Sequence, residues 1–528
     1  MPVDSAPAGA TPGGKKGVSP WVIAPVVAIA AFMEVLDISI ANVALLHIAG
    51  GLSATHDEAT WVLTSYTVTN AVVLPISGWL SNLLGRKRFF MICIAGFTVT
   101  SLACGLAPTL GTLILFRCLQ GITGGGLQPV SQAILSDAFP PAKRGMAFAM
   151  YGIAVVFAPA IGPTLGGWIT DHFSWRWVFL INLPVGLILI PLVQALIRDP
   201  DYMRQARDKR GGKRPRVDLI GFSLLVVGLG ALQIMLDRGQ QDDWWHSGFI
   251  LTMSCLAAVG LIAFLIWEWY DRNPIVDVHL FRNRNFAVAN LFMMILGFVL
   301  LASTAVLPLY VQELMGYTAT QAGLVLTPGG IAIICLMPLV GRLVGKVQTR
   351  YLIGFGFLVS GIGLYTMTGF SLQADYHTIM MARVLQASAL GFLFIPISTA
   401  AYDGLPMEKS NDASAIINLA RNLGGSIGIS LSTTLLARRS QFHQSRLAEE
   451  ITPYNPAYQD QMHQIGQATG AGDLTSHGLL YHDLLNQASM LGYLDVFKFM
   501  AILFLCMVPL VFIIRRGVAG RGAPAGAH

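Results

Sequence analysis

Charge is what this sequence has least of. Only 12% of its 528 residues are Asp, Glu, Lys or Arg, against 54% hydrophobic ones, where an ordinary soluble domain is about a quarter charged. That shortage excludes a water-soluble globular protein. Cysteine is scarce too. Cys93, Cys104, Cys118, Cys255, Cys335 and Cys506 all fall in apolar runs and no two stand at CxxC spacing, so neither a disulfide nor a metal site is expected. The chain has no GxxxxGKS/T phosphate loop and no HExxH, and too little polar sequence for a domain that could hold a nucleotide or another cofactor. ATP-driven work and enzymatic chemistry are therefore not expected, and an ion gradient remains as the energy source.

Long apolar runs are what the sequence has instead. A spanning helix needs about 20 mostly apolar residues, because its backbone polar groups must be satisfied internally. Fourteen such runs are read: 20–46, 58–81, 89–107, 110–134, 145–169, 175–197, 217–236, 247–268, 286–311, 319–343, 350–370, 377–401, 412–436 and 495–514. The expected fold is an all-α integral membrane protein with 14 transmembrane helices. The first run is too long for a cleaved signal peptide and should stay as an anchor.

Basic residues set the expected orientation. Lys15, Lys16, Arg86, Lys87, Arg88, Lys143, Arg144, the 198–216 cluster, Arg272, Arg282, Arg284, Arg342, Lys346, Arg350, Lys409, Arg515 and Arg516 fall on one side. Short loops on the other side hold Arg176 and Arg238, and the long 437–494 loop holds Arg438, Arg439 and Arg446, a length at which the bias starts to weaken. Both termini should then be cytoplasmic. The net charge of +6 reads as topology and headgroup contact, with no nucleic-acid partner.

Internal repeats divide the chain. LPISGWL at 74–80 matches MPLVGRL at 337–343, and THDEATWVLT at 55–64 matches TATQAGLVLT at 318–327, both at an offset of 263. RCLQGITGGGLQP at 117–129 matches RVLQASALGFLFIP at 383–396 at an offset of 266. Duplicated halves are a common transporter architecture. The expected organisation is a flexible tail 1–19, a six-helix bundle 20–197, a basic linker 198–216, two inserted helices 217–268, a linker 269–285, a second six-helix bundle 286–514 that includes a polar outer loop 437–494, and a tail 515–528.

GWLSNLLGRKR (78–88), RCLQG (117–121), APAIGPTLGGW (158–168) and LDISIANVAL (36–45) resemble the signature motifs of major facilitator superfamily drug:proton antiporters with fourteen spans. ALQIMLDRG (231–239), NPIVDVHLFRNRNF (273–286), GYTATQAGL (316–324) and RNLGGSIG (421–428) are similar to the branch of EmrB-type inner-membrane pumps of tripartite efflux systems. The resemblance covers nearly the whole chain. It implies a major facilitator fold of two pseudo-symmetric six-helix bundles plus two additional helices around a central cavity. It also implies alternating access, proton-driven export of hydrophobic drugs from the bacterial inner membrane, a periplasmic adaptor and an outer-membrane channel. Asn82, Ala158, Ser39 and Leu46 depart from the usual Asp, Gly, Thr and Pro of the family.

Two motifs are expected to act in conformational change. In the first, Gly78 and Gly85 allow close helix approach and a tight turn, and Arg86, Lys87 and Arg88 sit where headgroups favour positive charge. In the second, Pro159, Gly162, Pro163, Gly166 and Gly167 break the helical ladder and remove bulk in mid-span, so the helix can bend and pack closely.

Glu34, Asp37 and Arg117 carry the expected proton coupling. Arg117 lies roughly 10 Å into the fourth span and Asp37 about 14 Å into the first from the same boundary, so they should pair. Glu34 and Asp37 are three residues apart and share a helix face that must look into protein or a wet cavity. Two carboxylates this close in a poorly hydrated site do not both ionise easily, which suits a proton carrier. Glu34 is expected to exchange the proton while Arg117 holds Asp37; a drug-binding role for Glu34 and a static Asp37–Arg117 pair are the competing readings.

Asn42, Gln120, Gln128, Gln386 and Asn418 are expected along the substrate path, with helix-packing hydrogen bonds as the alternative. The second half has Arg383 and Arg421 inside spans but no acid pair. Loop 437–494 docks an adaptor or is simply solvated. A transporter of a natural metabolite or siderophore, or a membrane sensor, would share much of this pattern.

Overall fold

The computed structural model describes residues 19–200, 202, 203, 205, 218–271, 274–452, 454–469 and 473–514. The expected tail 1–18, most of linker 198–216 and the tail 515–528 lie outside the described residues. Fourteen long helices dominate: α1 (Pro20–Val43), α2 (His56–Leu84), α3 (Arg86–Gly105), α4 (Leu110–Ala138), α5 (Arg144–His172), α6 (Trp177–Leu196), α7 (Leu219–Arg238), α8 (Gly248–Tyr270), α9 (Arg284–Glu313), α10 (Ala319–Leu343), α11 (Thr349–Thr366), α12 (Tyr376–Ala401), α13 (Ser410–Glu450) and α14 (Asp473–Leu510). Thirteen are apolar enough to cross a membrane on hydropathy alone. The exception is α13, where Asn418, Arg421 and Asn422 dilute the apolar residues; it is nonetheless packed between α2, α9 and α14.

Each sequence repeat corresponds to a physical device used twice. Thr55 caps α2 in a capping box with Glu58, and Thr318 caps α10 in one with Gln321, so orphan amide groups at both helix starts are satisfied reciprocally. Gly78 of α2 lies against the backbone of Asn411 and Asp412 at the start of α13, and Gly341 of α10 lies against Gly145 and Met146 at the start of α5. Arg117 donates to Gln120 at 2.8 Å, and Arg383 to Gln386 at 2.5 Å.

The helix contacts obey the same two-fold logic. The second helix of each half packs on the fifth helix of the other, α2 on α13 and α10 on α5. Within each half the first and fifth helices meet through glycines: Gly162 and Gly166 of α5 face Ser39 and Ile40, and Gly424 and Gly428 of α13 face Met294 and Phe298. Small residues let backbones approach where no hydrophobic drive exists between helices in lipid. Pro159 and Pro163 sit inside α5, which runs as one continuous helix.

The inserted pair, α7 and α8, meets at Gly228 and Gly260. Helix α7 also packs on α2 and α13, so the pair flanks a seam between the halves.

The expected outer loop 437–494 is largely helical among the described residues. Helix α13 continues to Glu450, a short helix covers Pro456–Thr469, and α14 begins at Asp473. At 1.5 Å per residue the 41 residues of α13 extend about 60 Å, twice a ~30 Å hydrocarbon core. The two helices are joined by Arg439 and His443 of α13, which contact Asp495 of α14 at 2.6 and 2.9 Å. Hydropathy loses a helix once water can satisfy its polar face.

Candidate functional site

Asp37 is fully buried and every oxygen is engaged. Its Oδ2 accepts from Arg117 Nη1 at 2.5 Å, and its Oδ1 accepts from Asn182 Nδ2 at 2.7 Å and Gln120 Nε2 at 3.1 Å. Helices α1, α4 and α6 each supply one side of this cluster. Behind it, Ser101 of α3 accepts from both Asn182 and Gln120 and donates to the Phe179 carbonyl. Arg117, also fully buried, donates its Nε to the Val62 carbonyl and lies 4.2 Å from the Tyr66 ring centroid. The pairing expected from depth arithmetic is therefore formed, inside protein where a lone charge would be costly.

Glu34, one turn away on α1, is different. It is fully buried; its Oε1 accepts from Asn70 Nδ2 of α2 at 2.9 Å, while Oε2 has no hydrogen-bond partner. No ion pair forms with it among the described residues, but Arg421, bonded to Gln128, lies near enough to act on its charge. One carboxylate is thus locked by an arginine, and its neighbour keeps an oxygen free.

The polar residues at the seam join the halves. Asn418 of α13 donates to Gln132 of α4 at 2.6 Å, Tyr151 of α5 bonds both the Gln128 carbonyl and Asn418, and Arg421 donates to the Gln128 side chain. Gln120 belongs to the Asp37 cluster. Gln386 stays with Arg383, which also donates to Ser303 at 2.9 Å and Thr304 at 3.2 Å. Asn42 is exposed near the opposite end of α1 and is not brought into either cluster. Gly424, Ser426 and Gly428 match a GxSxG spacing, but they lie inside α13, where Ser426 accepts from Gln233 at 2.9 Å, with none of the strand-to-helix turn a nucleophile would need.

At the basic end the turn is built around Gly85, whose φ of +89° is reached without strain only by glycine. Arg86 is 2% exposed, not at the headgroup level expected for it. Its Nε donates to Asn411 of α13 at 2.9 Å, its Nη1 to Asp137 at 2.8 Å, and its Nη2 to Tyr202 at 3.0 Å. Lys87 donates its backbone N–H to Asp199 and its Nζ to the Gln194 carbonyl; Arg88 is exposed. Asn82 donates to Asp412 at 3.3 Å and accepts from Asn411 at 2.7 Å. The amide thus bonds across the halves where a carboxylate would be the family's usual group.

Asn70, Ser101, Asn182 and Asp137 were not singled out by the sequence reading. Isolated Asn and Ser residues in spans usually bond helices together, so only the need to satisfy Asp37 could point to Ser101 and Asn182, Glu34 to Asn70 and Arg86 to Asp137.

Two pseudo-symmetric six-helix bundles around buried acids and arginines define a secondary-transporter architecture. Residues 27–429 match the family model of the Major Facilitator Superfamily, and the chain belongs to that superfamily. It is 38% identical to the "Multidrug export protein EmrB" of Haemophilus influenzae over 92% of this chain and 93% of that one. It is 37% identical to the "Fatty acid resistance protein FarB" of Neisseria gonorrhoeae, over 92% and 94%. Among solved structures, the proton:xylose symporter XylE shares the fold at a TM-score of 0.57 and 14% identity, covering 93% of this chain and 96% of that one.

Proposed function

We propose that this chain is a multidrug exporter of the inner membrane, driven by protons and working by alternating access. The observation that carries the reading is the unequal setting of its two acids: Asp37 is saturated by Arg117, Gln120 and Asn182, while Glu34 keeps Oε2 unpartnered. A carboxyl with one free oxygen and no direct ion pair can take up and release a proton without dismantling its surroundings. In this reading Glu34 holds the proton, a cationic or hydrophobic drug entering beside it favours the ionised form, and the proton leaves as the drug binds. Asp37, held by Arg117, orients the face of α1 that Glu34 shares.

Alternation would open and re-form the contacts at the basic end, where Asn82, Arg86 and Gly78 meet Asn411 and Asp412 of the other half. The distribution of basic residues supports placing that end, and both termini, in the cytoplasm. The relatives named for multidrug export support the substrate class. The hairpin of α13 and α14 is then periplasmic and is the part we assign to docking an adaptor leading to an outer-membrane channel. Transport in everted vesicles tests the first claim: drug-dependent alkalinisation lost in Glu34→Gln supports it, and unchanged coupling rejects it. Replacing residues 441–489 by a short linker tests the second. Vesicle transport should survive and whole-cell resistance should vanish; preserved resistance rejects docking.

A further inference from the structure

The inserted helices have a carboxylate that the two acids of α1 do not account for. Asp237 is the penultimate residue of α7, yet it lies beside the middle of α2: Thr67 Oγ1 donates to its Oδ2 at 2.7 Å. Thr67 is eleven residues from the start of α2, about 16 Å along the helix. The Asp237 Oδ1 accepts from Gln233 Nε2 at 2.8 Å, and the same amide donates to Ser426 of α13 at 2.9 Å. One acid is thereby bonded to α2 directly and tied to α13 through the Gln233 amide, at the seam between the halves.

Its surroundings are neutral on every packed side. From α2 the facing groups are Thr64 and Thr67; from α7, Gln233; from α13, Ser426 across that amide. Arg238 is adjacent in sequence but turns away, to Asp242, Thr60, the Asp57 carbonyl and the Trp61 ring. The acid on α8, Glu268, lies at the opposite end beside Gly221. Arg421 of α13 is committed to Gln128. Among the described residues no cation pairs with Asp237, so taking up a proton is the way its charge is neutralised.

Asp237 is also joined to Glu34 by a single turn of α2. Thr67 serves Asp237 and Asn70 serves Glu34, three residues and about 4.5 Å apart along one helix. We propose that Asp237 is a second proton-binding residue, supplied by the inserted pair and coupled through the Thr67–Asn70 turn to Glu34. This deepens the proton-driven reading and rests on it for its role in transport, though not for proton binding itself. A protein with two acids tied to neighbouring positions on one face of α2 would register the protonation of either at the seam where the halves meet.

Infrared titration of the purified full-length protein tests this, comparing wild type, Asp237→Asn and Thr67→Val. The wild-type minus Asp237→Asn difference should contain a protonated-carboxyl band that grows as pH falls between about pH 9 and 5. Thr67→Val, which keeps the carboxyl but removes its donor, should displace the midpoint of that band. Absence of a titrating band, or a band indifferent to Thr67→Val, overturns the proposal. Loss of thermal stability in Asp237→Asn with no missing band shows a structural hydrogen-bond acceptor only. Drug-evoked proton release from the wild type is measured in parallel: its absence would sink the proton-driven reading while leaving the band as evidence for the site.

Discussion

Arg117 and Arg383 hold equivalent places in the two halves, each donating to a glutamine three residues on, but only Arg117 meets a carboxylate. Ser303 stands in α9 at the same offset of 266 from Asp37 that separates the two arginines. It accepts from Arg383 at 2.9 Å, and Arg383 Nε and Gln386 Nε2 have no partner. The duplicated scaffold thus keeps the cation twice and the anion once.

Ser303→Asp should supply the missing anion. A buried cation gains from a hydrogen-bonded partner more than from a hydroxyl, so the thermal midpoint in detergent should rise. A fall would show that Arg383 is already neutralised by another route.

The Asp37–Arg117 pair should behave as a unit. Removing one member strands a buried charge and costs about 3–5 kcal/mol; Asp37→Leu and Arg117→Leu should each show this in unfolding. The double variant should lose clearly less than the sum, and additive losses would mean the two charges are independently solvated.

Glycines at helix crossings should be separable from those on free surface. A Cβ on Gly424 would fall on the Met294 carbonyl of α9, whereas one on Gly354 of α11 meets nothing within 4 Å. Gly424→Ala should cost about 1–3 kcal/mol by overpacking. Gly354→Ala should be neutral or gain about 0.5–1 kcal/mol. Equal effects would contradict the packing described.

Acid sensitivity should arise at the linker before α9. Partial burial alone would raise the Asp277 carboxyl, but Lys409, 2.7 Å away, with the His279 backbone N–H, outweighs it and holds the group below its ordinary 3.8. A depressed folded value means the contribution is complete above the unfolded value and is lost as pH falls through the folded one. Between about pH 5 and 3 the wild-type thermal midpoint should therefore drop more than that of Asp277→Asn. Parallel curves would assign the acid loss elsewhere.

Much of the fold was legible because lipid imposes one requirement on every spanning segment. Fourteen apolar runs gave the fourteen helices, and repeats of Thr55, Gly78 and Arg117 with Thr318, Gly341 and Arg383 marked caps, crossings and clusters. The Asp37–Arg117 pair followed from depth alone, since neither charge tolerates lipid. The partners of that pair did not follow, because Asn182 and Ser101 are polar residues whose use depends on which helices become neighbours. Arg86 was expected at the surface, as charge pattern says nothing of Asp137 at the end of α4 and Asn411 at the start of α13. Asp237 was missed since hydropathy ended its span at residue 236, and the extent of the helices at 437–494 because a helix in water has no apolar run.

Drug-evoked proton release from the purified protein tests the central claim most directly, comparing wild type, Glu34→Gln and Asp37→Asn at matched drug occupancy. The account predicts release by the wild type, and loss of Glu34's proton in Glu34→Gln with drug binding retained. Release undiminished in Glu34→Gln, or abolished only in Asp37→Asn, would contradict it and move the coupling to Asp37.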